Sequence, residues 1–231
     1  MSRHKQAGSG SAAAPSQAKT GAASTDLFLT KYATILALVV LFVVFALITE
    51  RFLQPTNLIN ILRQISMLTI VGIGLTFCMA AGDFDLSVGS VAGLAGILTT
   101  ALLVNKVALV PALLAGLASG LVFGLFNGVV ITKLRIPSLI TTLGTSSIAL
   151  GINFAYSGGR AIYGGLPDAF GFLGRGYILG IPTPVVIMAV VVAVAYFVLN
   201  RTKLGRYLYA IGGNPTAARL AGINIDRYRI A

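Results

Sequence analysis

Two carboxylates sit where the chain otherwise reads as hydrocarbon-soluble. Asp83 and Asp85 belong to the run Gly82-Asp83-Phe84-Asp85-Leu86-Ser87-Val88-Gly89-Ser90, set between two long apolar stretches. An ionised Asp at the centre of a bilayer costs about 2.5–3.5 kcal/mol on insertion scales, so it faces protein, water or a function. Three kinds of chemistry suit the pair. In a turn between antiparallel helices, Gly82 permits the bend and Asp85 caps the next helix, accepting hydrogen bonds from orphan amides. In a break within the membrane, the irregular backbone lines a transport pathway, because such backbone survives at depth only beside protein or water. Ser87 and Ser90, three apart on one helical face, then extend a polar wall from Asp85. As titratable acids, finally, Asp83 and Asp85 are proton or ion sites for a secondary carrier or channel.

Other reactive chemistry is thin. The chain has one His, His4, and one Cys, Cys78, so neither a metal site, a disulfide framework nor a nucleophile–base pair is expected. No Gly-x-x-x-x-Gly-Lys-Ser/Thr loop is present to cradle phosphates, which excludes an ATPase. Seventeen basic residues against six acidic ones give a net charge of +11. No aromatic-and-basic cluster accompanies that charge, so a nucleic-acid partner is not expected. The basic residues fall in short segments between apolar runs, which is how membrane topology is written.

The elements that must position the carboxylates are membrane helices. With 56% hydrophobic and 10% charged residues and a mean hydropathy of +0.90, the chain is an integral membrane protein; a soluble domain carries about 25% charge. The expected fold is all-α, a polytopic bundle of about six transmembrane helices, near 32–49, 65–81, 86–104, 107–131, 136–156 and 177–199. Residues 1–25 are rich in Ala, Ser and Gly, have no apolar face to bury, and are expected to form a disordered cytoplasmic tail. Residues 26–199 then form the bundle and 200–231 an inner loop. With the N-terminus inside, twelve basic residues fall on the inner side, Lys133, Arg135, Arg201, Lys203, Arg206 and Arg219 among them. Five fall outside: Arg51, Arg63, Lys106, Arg160 and Arg175. The positive-inside rule therefore places both termini in the cytoplasm.

Two further patterns are informative. Gly116, Gly120, Gly124 and Gly128 repeat every four residues, a stripe that lets another backbone approach closely, either within one subunit or at a dimer seam. After Glu50, Pro55-Thr56-Asn57 precedes an apolar face at helical spacing, which predicts a short interfacial helix behind a capping residue. Beyond the last span, Asn214 at an N-cap, Pro215 at the first helical position and Gly222 past the end punctuate a short helix. Its small residues Ala217, Ala218 and Ala221 leave room for something to dock. A basic loop that only anchors topology needs charge but no such helix.

From about Glu50 onward the chain resembles the permease subunit of bacterial ABC importers for monosaccharides, the family of the ribose, xylose, arabinose and galactose permeases. The stretches that carry this, in order, begin with Asn57-Leu58-Ile59-Asn60-Ile61-Leu62-Arg63-Gln64, Asp85-Leu86-Ser87-Val88-Gly89-Ser90 and Phe126-Asn127-Gly128. They continue with Ile136-Pro137 and Thr142-Leu143-Gly144, Leu166-Pro167, and the loop from Gly205-Arg206-Tyr207 to Ala217-Ala218 and Gly222-Ile223. Any one is weak and the ordered set is specific.

The resemblance implies a multi-pass protein of the bacterial inner membrane, with Asp83, Asp85, Ser87, Ser90 and Asn127 along the translocation pathway. It implies a second permease copy, identical or related, ABC ATPase subunits beneath that bind ATP and Mg, and a periplasmic sugar-binding protein delivering a monosaccharide or polyol. Membrane lipid surrounds the bundle, and this chain itself needs no cofactor. Gly205, Asn214, Ala217, Ala218 and Gly222 resemble the coupling helix by which such permeases sit in a groove of the ATPase. The chain departs from the pattern at Asp83 and Phe84, where the family often has a second Gly, and at Leu139, where it often shows Phe. Such permeases usually continue through several more helices after the coupling loop, so the chain ending at Ala231 reads as C-terminally truncated.

Overall fold

The computed structural model describes residues 22–162 and 164–230, with side chains from Tyr32 onward. Residues 1–21 of the expected tail lie outside the described residues. Helix α1 (Ala22–Ile48) begins inside the expected tail, so residues 22–25 are helical rather than disordered. The rest follows as α2 (Pro55–Ala80), α3 (Val88–Val104), α4 (Leu109–Lys133), α5 (Ser138–Ser157) and α6 (Asp168–Arg175). A hairpin of β1 (Tyr177–Ile178) and β2 (Ile181–Pro182) leads into α7 (Thr183–Arg201). Three short helices close the described chain: α8 (Lys203–Gly213), α9 (Pro215–Leu220) and α10 (Ile225–Ile230).

Among the described residues, α2, α4, α5 and α7 are long and apolar enough to cross a membrane, while Tyr32–Ile48 and Val88–Val104 are shorter apolar helices. The chain is a multi-pass helical membrane protein. Two expectations need correction. The interfacial helix and the second span are one element, because Pro55 starts α2 and no breaker follows it for 26 residues. Asn57 does not cap; its Nδ2 donates to the Phe52 carbonyl at 2.8 Å. The sixth span starts at Thr183 rather than 177, because Leu179 and Gly180, both at positive φ, turn the hairpin between β1 and β2.

The chain divides into two compact units, Met1–Asn57 and Leu58–Ala231, with the boundary inside α2. In the first, the Phe52 ring meets Phe42 edge-on at 5.1 Å and Phe45 at 5.8 Å. In the second, α3 packs on both α4 and α5, and α4 on α5. Short links make consecutive helices antiparallel neighbours. Many large apolar side chains on α4, α5 and α7 remain exposed, Leu117, Leu121, Ile140 and Val190 among them; a helix apolar on most faces suits lipid or other helices.

Two sets of contacts mark the ends of α2 within the second unit. Near one end the Arg63 guanidinium donates to the Arg175 carbonyl at 2.9 Å and lies 5.0 Å above the Tyr177 ring. At the other, Gly212 of α8 presses on the Ala80 carbonyl so closely that a Cβ would clash with it. Seventeen helical residues, about 26 Å at 1.5 Å per residue, separate Arg63 from Ala80.

Candidate functional site

The Gly82–Ser87 turn is tied to three helices by polar bonds. Asp85 Oδ1 accepts from the Ser87 amide at 2.7 Å and from the Ser87 hydroxyl at 2.6 Å. Asp85 therefore orders the turn into α3, whose N-cap is Ser87, rather than capping the first amides of the helix as expected. Ser87 Oγ in turn accepts from Asn127 Nδ2 of α4 at 3.1 Å, and Asn127 Oδ1 accepts from the Thr145 hydroxyl of α5 at 2.5 Å. The Leu86 amide donates to Thr142 Oγ1 at 3.1 Å and the Phe84 amide to Ser138 Oγ at 3.3 Å. Ser87, Asn127, Thr142 and Thr145 are all buried.

The result is a polar seam joining α3, α4 and α5. Such bonds hold helices together where apolar side chains alone gain little from leaving lipid. Ser87 and Ser90 do not form one wall: Ser87 points to Asn127 on α4, and Ser90 pairs with Ser146 on α5 at 2.7 Å. The α5 members Thr142, Thr145 and Ser146 are the functional candidates that sequence reasoning missed. Their signal was present in Thr141-Thr142 followed by Thr145-Ser146, hydroxyl residues one helical turn apart in an otherwise apolar segment.

Asp83 faces elsewhere. Its Oδ2 lies 2.9 Å from Arg229 Nε of α10, with both side chains largely covered. The Arg229 Nε–H finds no aligned hydrogen-bond acceptor, so the contact is an ion pair more than a directed bond. In this turn, outside the helices, burial raises the Asp83 carboxyl above its ordinary value, against the opposing pull of Arg229 and Ser138. A cavity of about 430 Å³ borders Asp83, Asp85, Asn127, Thr142 and Cys78. A second, of about 410 Å³, borders Asp85 and Ser87.

The glycine stripe divides. A Cβ on Gly116 would strike Thr99 Oγ1 and the Ala95 carbonyl of α3, and one on Gly128 would come within 3.0 Å of Ile230 Cα of α10. Gly120 and Gly124 have nothing within 4 Å and border both cavities. The expected continuous packing face is thus interrupted at its middle.

The inner loop is more ordered than a basic anchor needs. Asn214 Oδ1 accepts from the Ala217 amide at 3.0 Å, capping α9 with Pro215 in its first turn. At the other end the Ile223 amide bonds the Ala218 carbonyl and the Gly222 amide bonds the Arg219 carbonyl, each at 3.0 Å, with Gly222 at φ +80°. This is a Schellman ending, for which glycine is favoured. Ala217 and Leu220 are exposed, whereas Ala218 is buried with Ile211 and Ile225 and is not part of an open docking face. Gly205 is buried too, its Cα pressed against the Leu199 backbone at the α7–α8 corner. The amphipathic α8 was not expected; Gly205, Leu208 and Ile211 form its buried side.

Residues 57–231 match the family model described as the branched-chain amino acid transport system permease component. The chain belongs to this permease family. A ribose import permease protein of Haemophilus influenzae is 36% identical over 206 residues, covering 88% of this chain and 64% of its own length. An L-arabinose transport system permease protein of Escherichia coli is 39% identical over 205 residues, covering 87% and 61%. A D-allose transport system permease protein of the same species is 33% identical over 201 residues, covering 86% and 61%. The permease thus spans less than two thirds of the length of these curated relatives. No solved structure matches it. Members of the family are membrane subunits of transporters rather than enzymes, and the matched region of this permease contains the whole seam and inner loop. Among the described residues no group of three or more His, Cys, Asp or Glu is placed to hold a metal ion.

Proposed function

We propose that the chain is the membrane permease subunit of an ATP-driven importer, carrying a monosaccharide or related polyol handed over by a periplasmic binding protein. The observation that carries this reading is the doubly capped α9 with Ala217 and Leu220 exposed, in a chain whose relatives are named for ribose, arabinose and allose. A capped helix keeps its shape when pushed, which a part that docks on an ATPase needs and a topological anchor does not. ATP and Mg belong to that partner, and a second permease copy completes the pathway. Sugars are favoured over the amino acids of the family description because the relatives matched over most of this chain are sugar permeases.

Six spans with both ends inside is the topology that fits. It puts the 82–87 turn, the 134–137 turn and α8–α10 on one side, where Asp83 meets Arg229 and Lys133 lies 3.5 Å from Asp226. It puts Arg63 and Arg175, which also meet, on the other. Solute would pass beside the seam of Asp85, Ser87, Ser90 and Asn127. A proton- or ion-coupled carrier using Asp83 and Asp85 is the second reading; it is weakened because both carboxylates are already engaged, one by Arg229 and one by Ser87.

Energy supply separates the two. In cells expressing the chain with the ATPase and binding protein encoded beside it, uptake of labelled ribose, arabinose or allose should stop on ATP depletion. It should survive collapse of the proton gradient while ATP is maintained. Uptake that persists without ATP and fails with the gradient would replace the importer by the carrier.

A further inference from the structure

The cavity of about 430 Å³ beside the seam draws its lining from Cys78 of α2, Gly124 and Gly128 of α4, and Tyr228, Arg229 and Ile230 of α10. One of its walls is therefore only six residues long. Few contacts hold that wall. Ile230 lies against Gly128, the one residue type whose surface lets the two backbones come this close. The Tyr228 ring meets the Tyr207 ring of α8 edge-on at 5.0 Å. Arg229 reaches Asp83, and Asp226 at the start of α10 reaches Lys133 at 3.5 Å.

These two ion pairs are not equal. Lys133 and Asp226 are about half exposed, at 61% and 46%, where solvent screening leaves a pair worth little. Arg229 and Asp83 are 25% and 19% exposed, so their attraction is less screened and removing either partner strands the other away from water. The Asp83–Arg229 pair is thus the stronger tie between α10 and the helical bundle. It ends on the same turn that positions Asp85 and feeds the Phe84 and Leu86 amides to α5. On its other side, α10 follows α9 after Gly222, whose positive φ lets the chain reverse direction there.

We infer that α10 is a latch on this cavity, held shut by the Asp83–Arg229 ion pair and released when that pair separates. With the pair made, Tyr228, Arg229 and Ile230 close one side of the cavity and α9 is linked through α10 to the turn at Asp85. With the pair broken, only the Ile230 and tyrosine contacts and a screened surface pair remain, and the wall swings away from Cys78. That the latch controls solute passage rests on the permease reading; that it covers the cavity does not.

Cys78 is the one cysteine of the chain and lines this cavity, so its own thiol reports the latch. The rate of N-ethylmaleimide labelling is measured on the full chain in detergent, with folding checked by circular dichroism and gel filtration. Asp83→Asn and Arg229→Gln should each label at least about fivefold faster than the native chain. Lys133→Gln should label at close to the native rate. The exchange of charges in Asp83→Arg with Arg229→Asp should return the rate toward native. Single variants that label at the native rate would overturn the latch, as would an exchanged pair no slower than the singles. If both single variants fail to fold, the pair is a structural prop and the proposal falls. Sugar uptake is not measured, so the outcome is independent of whether the chain carries a sugar.

Discussion

Asn127 shows how a neutral side chain organises the seam. It gives Nδ2 to Ser87 and takes the Thr145 hydroxyl on Oδ1, joining α3 to α5 through α4. Interhelical bonds of this kind average about 0.6 kcal/mol in membranes, with a maximum near 1.7. Ser87 keeps Asp85 and Thr145 keeps the Thr141 carbonyl when Asn127 is lost, so neither is stranded. Asn127→Leu should therefore lower unfolding free energy by about 1–2 kcal/mol in a denaturing-detergent titration. Combined with Thr145→Val it should cost less than the two single losses added, since both remove one shared bond. Strict additivity would mean that the bond does not exist. Asp83 and Asp85 were legible as anomalies because a carboxylate in an apolar sequence is costly wherever it sits. Their partners were not legible: Arg229 lies far along the chain, and Asn127 reaches Ser87 only once three helices have packed.

Between residues and the whole lie the helices and the small loops that join them. What was legible here is local. Asn214, Pro215 and Gly222 bound α9 where the sequence placed its ends, because capping needs only neighbours within one turn. The merger of the interfacial stretch with α2 was hidden by the habit of starting a span at the first unbroken apolar run, although Arg63 and Gln64 continue a helix without strain. The four-residue glycine spacing announced close approach but not what arrives, and the neighbours decide the consequence. Gly116→Leu and Gly128→Leu should each cost about 1–3 kcal/mol, as overpacking against a backbone usually does, because Ala95 and Ile230 stand in the way. Gly120→Ala and Gly124→Ala meet nothing within 4 Å and should be neutral or slightly stabilising through helix propensity, by about 0.5–1 kcal/mol. Thermal midpoints of the four variants in one detergent make the comparison. Equal loss at all four sites would restore the continuous packing face that the open middle of the stripe argues against.

At the scale of the molecule, hydropathy alone separated a membrane bundle from every soluble alternative, and basic-residue placement assigned sides to its loops. The grouping of Asp83, Lys133, Asp226 and Arg229 at one end of the second unit, and of Arg63 with Arg175 near the other, uses none of that counting. Both lead to one arrangement in which α9 faces the compartment that holds ATP. The account stands on that sidedness, and Ala217, exposed on α9, is the position to interrogate. In a Cys78→Ser background, Ala217→Cys is exposed to a membrane-impermeant maleimide in right-side-out and in inverted membrane vesicles. The account predicts rapid labelling in inverted vesicles and protection in right-side-out ones. Rapid labelling from the right-side-out face would place α9 away from the nucleotide and contradict the importer.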